Sequence, residues 1–355
     1  MTDQSDSHPG TRLLIIAATF VIILWGINQA QSVLVLLLVS MFLAVIGTVP
    51  VLWMEGKRIP SVVAVLIVVA GMVTLLLGMG AVVGASLNNF SNALPFYQTR
   101  IHDMLAAFKA VLASKGIVIT DKTLLGYVNP GAVMNLTAGL FTALGSVLSN
   151  IFLILFTVTF ILLEASTFPA KLRRAQDNPK ASFLHFTKFV SDIKRYVVIK
   201  TLINLGTGTL ITIWLSILGV DFPVLWGFLL FLLLFIPSVG SIVAAVPAVL
   251  LALVQLGGGS AVLTAAGYLA IGTILGNVVE PRIMGRKFGM STLVVFLSLI
   301  FWGNLLGLVG ALLCVPLTMT LKLACESSED TQWIAVLLGP EISHEDTPAA
   351  SKRGK

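Results

Sequence analysis

The sequence contains few charged residues. Only 11% of its 355 residues are Asp, Glu, Lys or Arg, whereas 57% are hydrophobic. A water-soluble domain carries about a quarter charged residues, because it must cover its surface with them. The mean hydropathy is +0.99, and the apolar residues come in long blocks such as Val33 to Val45. This composition argues against a soluble globular protein and predicts an integral membrane protein.

The residues that build metal sites and disulfides are also scarce. The two cysteines, Cys314 and Cys325, provide neither a disulfide framework nor a zinc-binding spacing. The four histidines are scattered outside the apolar blocks, and no Ser-His-Asp constellation lies within them. The chain also lacks a phosphate-binding loop of the G-x-x-x-x-G-K-[ST] type. We therefore expect no metal, no cofactor and no enzymatic activity, and no ATP-driven pumping by this chain alone.

The net charge of +6 does not predict a nucleic-acid partner, because the basic residues lie in short loops between apolar blocks. Their distribution instead predicts the orientation in the membrane. With a cytoplasmic N-terminus, only four of the 22 Lys and Arg residues fall outside, namely Arg100, Lys109, Lys115 and Lys122. Cytoplasmic loops carry an excess of positive charge. We therefore expect both termini in the cytoplasm of a bacterial cell and the spans in its inner membrane, in contact with lipids.

The apolar blocks predict an all-α polytopic protein with about six full spans and two re-entrant helical hairpins. The full spans are placed at Leu13–Ile27, Val33–Met54, Pro60–Gly84, Gly145–Glu164, Tyr196–Leu218 and Ala261–Val279. The first block is interpreted as a retained span and not as a signal peptide, because no A-x-A-like cleavage site follows it. Between the third and fourth spans, apolar residues at helical spacing, such as Ile101 and Leu105, predict an outer amphipathic helix. Asn129-Pro130 predicts the start of a further helix that continues to Glu164.

Two apolar blocks are too long for one span and are interrupted. Pro223–Leu256 is broken at Pro237-Ser238-Val239-Gly240, and Ser291–Leu323 is broken around residues 303–307. The first arm of the first block would reach only about 21 Å, less than a hydrocarbon core of about 30 Å. We predict two hairpins that enter the membrane from opposite sides, with irregular tips buried in protein or facing a wet cavity.

A span followed by a hairpin occurs twice with opposite orientation, which predicts an inverted repeat. The residue pattern of the two hairpins is similar. The first contains Trp226-Gly227, Val239-Gly240 and Val246-Pro247, and the second contains Trp302-Gly303, Val309-Gly310 and Val315-Pro316. Broken helices in matching places of two halves indicate a transport site near the bilayer midplane.

This organisation divides the chain into five parts. They are an N-terminal three-span unit (1–84), an extracytoplasmic amphipathic segment (85–144), the fourth span with a basic cytoplasmic connector (145–195), the C-terminal transport unit with both hairpins (196–325) and a cytoplasmic tail (326–355). The outer segment is interpreted as a packing spacer, with a lid or an oligomer contact as the alternative.

Several ionisable groups lie near the spans, among them Glu164 at the end of its span, and three others bear on function. Glu280, at the inner end of a span, is either a substrate or proton site or a structural partner of Arg282 or Arg286, and the sequence leaves both readings open. Lys200 lies four residues from Asn204 on one helix face and is expected to extend to the inner surface. Asp221 is expected to be a helix cap or a rim charge.

Several stretches resemble the autoinducer-2 exporter (AI-2E) family of membrane transporters. They are Asn277-Val278-Val279-Glu280-Pro281-Arg282-Ile283-Met284-Gly285-Arg286, Leu297-Ser298-Leu299-Ile300-Phe301-Trp302-Gly303, Val315-Pro316-Leu317-Thr318 and Phe235-Ile236-Pro237-Ser238-Val239-Gly240. The resemblance implies a multi-span carrier without an ATPase, oligomeric, that exports the quorum-sensing signal autoinducer-2. Asn304 and Leu308 depart from the bulkier or proline-containing residues of the family pattern, which leaves the substrate open and the fold unaffected.

The leading hypothesis is thus a secondary carrier that exports a small, neutral, polar solute such as autoinducer-2. The expected solute contacts are Pro237, Ser238, Gly240, Asn277, Glu280, Trp302, Gly303 and Asn304. A sodium/proton antiporter with Glu280 as the exchanging carboxylate is the alternative, with a proton or sodium as coupling ion. A non-transporting envelope scaffold is a third possibility.

Overall fold

The structure is a computed structural model, and it describes residues 9–114, 139, 150–165, 171, 180–284, 290–326 and 331–339. The described part of the chain is helical and contains no β-strand. The helices are α1 (Pro9–Gln29), α2 (Gln31–Glu55), α3 (Ser61–Ser114), α4 (Ile151–Ala165), α5 (Lys180–Leu218), α6 (Pro223–Leu233), α7 (Gly240–Leu256), α8 (Gly258–Thr273), α9 (Glu280–Met284), α10 (Thr292–Glu326) and α11 (Gln332–Leu337), with a π-helical segment (Ile274–Val279) between α8 and α9.

The predicted class of all-α polytopic membrane protein is confirmed. Within the described residues, five helical segments are long and apolar enough to cross a membrane: Gln31–Glu55, Ser61–Ser86, Ser191–Leu218, Gly258–Ile283 and Leu293–Glu326. Shorter apolar helices include α4, α6 and α7. Large apolar side chains on the outside of the bundle, such as Ile217 and Phe152, are exposed as expected for a surface in contact with lipid. The predicted numbers of full spans and re-entrant hairpins remain predictions.

The third helix is longer than its predicted span. α3 continues without interruption for 54 residues, so the span and the first part of the predicted outer segment form one helix of about 80 Å. Similarly, α5 begins at Lys180 and includes the end of the predicted connector together with the span that was placed at Tyr196. The helix start predicted at Asn129-Pro130 lies outside the described residues.

Three clusters of buried side chains hold the helices together. One joins α2, α3 and α4 through residues such as Ala44, Val65 and Val158. The largest joins α5, α6, α7 and α8 and includes Trp226 and Tyr268. The third joins the hairpin of α10 to α5 and α2 through residues that include Tyr196 and Cys314. The first hairpin therefore packs mainly on α5 and α8, whereas the second packs on α5 and α2.

The first interrupted block folds back on itself. α6 and α7 are joined by the turn 234–239, in which Ser238 has a left-handed backbone with φ of +63°. At the open end of this hairpin, Gln255 accepts a hydrogen bond from the Asp221 backbone N–H at 3.0 Å and donates one to the Gly219 carbonyl at 3.1 Å. The end of α7 thus lies beside the start of α6, and the two arms are antiparallel.

The second interrupted block also reverses, at a single residue. Gly307 has φ of +64° and ψ of −147°, a conformation that is essentially restricted to glycine. The Trp302 indole N–H donates to the Thr318 hydroxyl at 3.1 Å, although 16 residues in a straight helix would separate them by about 24 Å. α10 therefore consists of two antiparallel arms, so the 34 residues of Leu293–Glu326 do not represent the height of one membrane crossing.

The two reversals lie at different heights along α2. Phe235 at the first turn contacts Phe42, in the middle of α2, with ring centroids 5.5 Å apart. Gly307 lies near Gln31, the first residue of α2, since a Cβ on Gly307 would be 3.5 Å from the Gln31 amide nitrogen. Phe42 and Gln31 are about 16 Å apart along the helix axis. The first hairpin ends at mid-height of α2, whereas the second reaches its end.

Candidate functional site

The turn of the first hairpin carries three of the predicted site residues. Pro237 is partly buried, Ser238 is exposed, and Gly240 is buried at the start of α7. A Cβ on Gly240 would overlap the Leu233 carbonyl oxygen, so the arms approach as closely as a glycine allows. The left-handed Ser238 is costly for a residue with a side chain, and such strain is typical of functional sites. The turn therefore presents one strained, accessible hydroxyl at mid-height of α2.

The second hairpin places its three predicted residues before the reversal. Trp302 joins the two arms through its bond to Thr318, and Gly303 faces Ala311, since a Cβ there would lie 3.8 Å from the Ala311 methyl group. Asn304 was predicted to lie at the hairpin tip, but it belongs to the first arm, three residues before Gly307. Its side chain is exposed, and its amide N–H donates to the Ile300 carbonyl at 2.9 Å. This bond turns the Asn304 amide towards its own helix.

Glu280 forms an ion pair with Lys200. Both carboxylate oxygens of Glu280 lie 2.8 Å from the Lys200 ammonium, and the two side chains are 22% and 12% exposed, respectively. Among the described residues, the partner of Glu280 is thus a lysine on α5 and not Arg282, while Arg286 lies outside the described part. Lys200 was expected to extend to the inner surface, but its side chain is directed to Glu280 and is largely buried, because charged groups within a membrane protein pair with one another.

A π-helical segment leads into this ion pair. Residues Ile274–Val279 are wound with an extra residue per turn, and they include Asn277, whose side chain is exposed. Short π-helical segments occur frequently at functional sites, because the extra residue redirects the side chains that follow. Here the next residue is Glu280. The segment therefore places the carboxylate on Lys200 and leaves Asn277 accessible.

The pairing of Lys200 with Glu280 does not follow from the local sequence pattern, because 80 residues separate the two side chains. One signal was available: Lys200 and Glu280 were each placed at the inner end of a predicted span. Opposite charges within the membrane pair with one another. The π-helical segment had no such signal in Ile274-Leu275-Gly276-Asn277-Val278-Val279. Its residue types are those of an ordinary apolar helix.

A second polar contact lies at the opposite end of the first hairpin. The Tyr97 hydroxyl, on the outer part of α3, donates to the Asp221 carboxylate at 2.7 Å. Burial and the Asp221 carboxylate together raise the pKa of Tyr97 above its ordinary value, so the phenol stays protonated and remains a donor. Asp221 was expected to be a helix cap or a rim charge. No side-chain cap bond is found at the start of α6, and Asp221 instead fastens α3 to the base of the hairpin.

A cavity of about 430 Å³ lies between α3 and α6, away from the predicted site residues. Its lining is apolar except for Thr74, whose hydroxyl donates to the Ala70 carbonyl of its own helix. An apolar cavity without convergent polar groups does not suit a small polar solute. The polar groups that could contact such a solute are instead Ser238, Asn277 and Asn304, together with the Lys200–Glu280 pair. No group of three or more His, Cys, Asp or Glu residues in the described part could hold a metal ion.

Comparison with known proteins supports this view of the chain. The AI-2E family transporter profile matches residues 13–330. The AI-2 transport protein TqsA of Escherichia coli strain K12 is 41% identical over 329 residues, which cover 93% of this chain and 96% of TqsA. The protein YhhT of the same strain is 34% identical over 339 residues, covering 96% of this chain and 97% of YhhT. A relative from Haemophilus influenzae is 34% identical over 334 residues, with 92% and 96% covered. The chain belongs to the AI-2E family of transporters.

Proposed function

We propose that this protein is a secondary transporter that exports a small, neutral, polar solute, the signal autoinducer-2, across the bacterial inner membrane. The observation that carries the proposal is the first hairpin, whose turn stops at mid-height of α2 and presents the strained, exposed Ser238. A broken helix at this depth offers backbone and hydroxyl groups to a solute inside an apolar bundle. The name of TqsA supports autoinducer-2 as the solute, and the low charge of the spans supports a neutral one.

The proposed contacts are the eight residues predicted from the sequence. Ser238, Asn277 and Asn304 offer hydrogen bonds from exposed side chains, while Pro237 and Gly240 shape the turn beside them. Trp302 and Gly303 belong to the wall formed by the second hairpin, and Glu280 lies at the inner end of the path. In this proposal both termini are cytoplasmic, and the exposed apolar faces contact lipid and further copies of the chain.

The export proposal is tested by measuring autoinducer-2 inside and outside cells that carry the gene, lack it, or carry a variant. Loss of the gene is expected to raise the internal fraction, and the intact gene is expected to restore it. Ser238→Gly, which removes the hydroxyl without adding strain to the left-handed turn, should restore export less well than Thr209→Val. Thr209 is exposed on α5 and bonds to its own helix. An unchanged distribution of autoinducer-2 between the intact and the deleted gene would rule out this solute.

The Lys200–Glu280 pair favours sodium/proton antiport as a second candidate function. A partly buried carboxylate can exchange a proton for a cation. Here it can do so only when the Lys200 ammonium moves away, since both oxygens are occupied by it. Everted vesicles with an imposed pH gradient test this candidate. A sodium-dependent collapse of the gradient that disappears in Glu280→Gln supports it, whereas the absence of any sodium response removes it.

A further inference from the structure

Two hydroxyl groups on α8 are buried without a hydrogen bond. The Thr264 side chain is fully buried and Tyr268 is 6% exposed. Within the part of the chain that the structure describes, neither hydroxyl has a hydrogen-bond partner. A buried hydroxyl without a partner costs about 1–3 kcal/mol relative to water. Folding alone therefore gives no reason for a hydroxyl at either position, where valine and phenylalanine would pack equally well.

Thr264 differs in this respect from other threonines of the apolar helices. Thr48, Thr201, Thr207, Thr212 and Thr320 each donate to the carbonyl four residues earlier, at 2.7–2.9 Å. That bond is the usual way in which a threonine satisfies its hydroxyl inside a membrane helix. Thr264 does not make it. Its hydroxyl is therefore available to a group outside α8.

Thr264 and Tyr268 lie one turn apart and so face the same side of α8. Tyr268 belongs to the apolar cluster that contains Ala244, Ala248 and Ala252 of α7, all fully buried. The side chains of α7 here are small, and the cluster around Tyr268 consists of apolar residues. The two hydroxyls thus lie on the face of α8 that packs against the return arm of the first hairpin.

The neighbouring face of α8 packs against α5 and is joined to it by a hydrogen bond. The Trp214 indole of α5 donates to the Leu263 carbonyl at 3.1 Å, and its ring lies directly against Gly267. This contact has both a hydrogen bond and close packing, whereas the face toward α7 has two unsatisfied hydroxyls. α7 also packs along α8 and is joined to it by Gly257 alone, so a path to this face can open only at the ends of the two helices that are distant from Gly257.

We propose that Thr264 and Tyr268 form a binding position for the hydroxyl groups of the transported solute, between α7 and α8. The solute reaches them when the end of the return arm that is distant from Gly257 separates from α8; in the structure the two helices are packed together. Each hydroxyl both donates and accepts a hydrogen bond, which suits a neutral, hydroxylated molecule. An ion would be disfavoured in this apolar surrounding. This inference rests on the proposed function, because it assigns a position on the path of the same solute.

Thr264→Val and Tyr268→Phe test the position, because each removes a hydroxyl with little change of shape. Uptake of autoinducer-2 into everted vesicles gives KM, and thermal unfolding of the purified protein gives stability. Each variant is expected to raise KM about ten-fold, the loss of one well-formed hydrogen bond, while the unfolding temperature stays unchanged or rises. Thr209→Val is the matched control and should change neither quantity, since Thr209 bonds to Leu205 of its own helix.

The remaining outcomes distinguish the two proposals. If the wild-type protein transports autoinducer-2 and both variants keep its KM, the binding position is wrong and the export function stands. Variants with normal KM and reduced stability would assign the hydroxyls to an internal water or to packing, which also overturns the position. If the wild-type vesicles take up no autoinducer-2, the export proposal fails, and the position fails with it.

Discussion

The two hairpins look alike in sequence but differ in depth and in the way the chain turns. The first uses a six-residue turn, 234–239, and ends beside Phe42 at mid-height of α2. The second turns at Gly307 alone and ends beside Gln31, where α2 begins. Its arms have about 15 and 19 residues, or about 22 and 28 Å, against about 16 Å for α6. The first hairpin thus offers an irregular backbone at mid-height, and the second forms a longer wall.

Only one part of the sequence similarity between the two hairpins reflects a shared structural role. A Cβ on Gly240 would overlap the Leu233 carbonyl, and a Cβ on Gly310 would overlap the Trp302 carbonyl, so both Val-Gly pairs allow the two arms to meet. The Trp-Gly pairs have different roles. Gly227 packs tightly against Gly208 and Thr212 of α5, whereas Gly303 has only an ordinary contact with Ala311.

The largest effect on stability is expected from adding a methyl group at the glycine where the two arms of each hairpin meet. Gly240→Ala and Gly310→Ala each place a methyl group on a backbone carbonyl that cannot move away without opening the arms. We expect each to cost about 3 kcal/mol, the upper end of the usual range for overpacking, and to reduce the yield of folded protein. Gly303→Ala is the control, because its methyl group would have normal space. Thermal unfolding and size-exclusion profiles measure the effect, and wild-type stability in Gly310→Ala would contradict the close approach.

Substitutions at the two turns are expected to change stability less, and in opposite directions. Gly307→Ala forces a residue with a side chain into a region that only glycine populates, at a cost of about 1–3 kcal/mol. Ser238→Gly relieves the left-handed strain of the first turn and should leave stability unchanged or raise it by up to about 1 kcal/mol. The proposed function predicts that Ser238→Gly nevertheless exports less autoinducer-2. Equal destabilisation by both substitutions would show that the turns do not differ in this way.

The smallest loss of stability is expected at the base of the first hairpin. Tyr97→Phe removes one hydrogen bond to Asp221 and should lower stability by about 1–2 kcal/mol at neutral pH. The raised pKa of Tyr97 means that the neutral phenol stabilises the fold fully below the ordinary tyrosine pKa. This contribution is lost as pH rises above that value. The stability difference between wild type and Tyr97→Phe should therefore be constant from pH 7 to 9, and a difference that vanishes at pH 8 would contradict the assignment.

The sequence predicted the features that depend on local residue patterns. Blocks of apolar residues marked the helices, and Pro237 and the glycines near 303–307 marked the interruptions, because proline and glycine are disfavoured in helix interiors. The rule is not general, since Pro50, Pro95, Pro247 and Pro316 lie inside helices of this chain. It could not predict the depth of each turn, which depends on the packing of Phe42 and Gln31. Charges at matching span ends indicated that Lys200 and Glu280 could meet, but neither this contact nor that of Tyr97 with Asp221 follows from local pattern, since these partners meet only after helices far apart in the chain have packed.

The reversal at Gly307 is tested most directly by joining the two arms of α10 chemically. Ser298 lies beside the native Cys314 across the arms, 16 residues away in the chain. In a Cys325→Ser background, mild oxidation of Ser298→Cys should form a disulfide with Cys314, detected as two thiols lost after denaturation. The control is a cysteine pair at Thr201 and Ile217, also 16 residues apart but in the unbroken α5, with Cys314 and Cys325 replaced by serine. We expect bonding in the first pair only, whereas free thiols in both pairs would show that α10 is a straight helix without a hairpin.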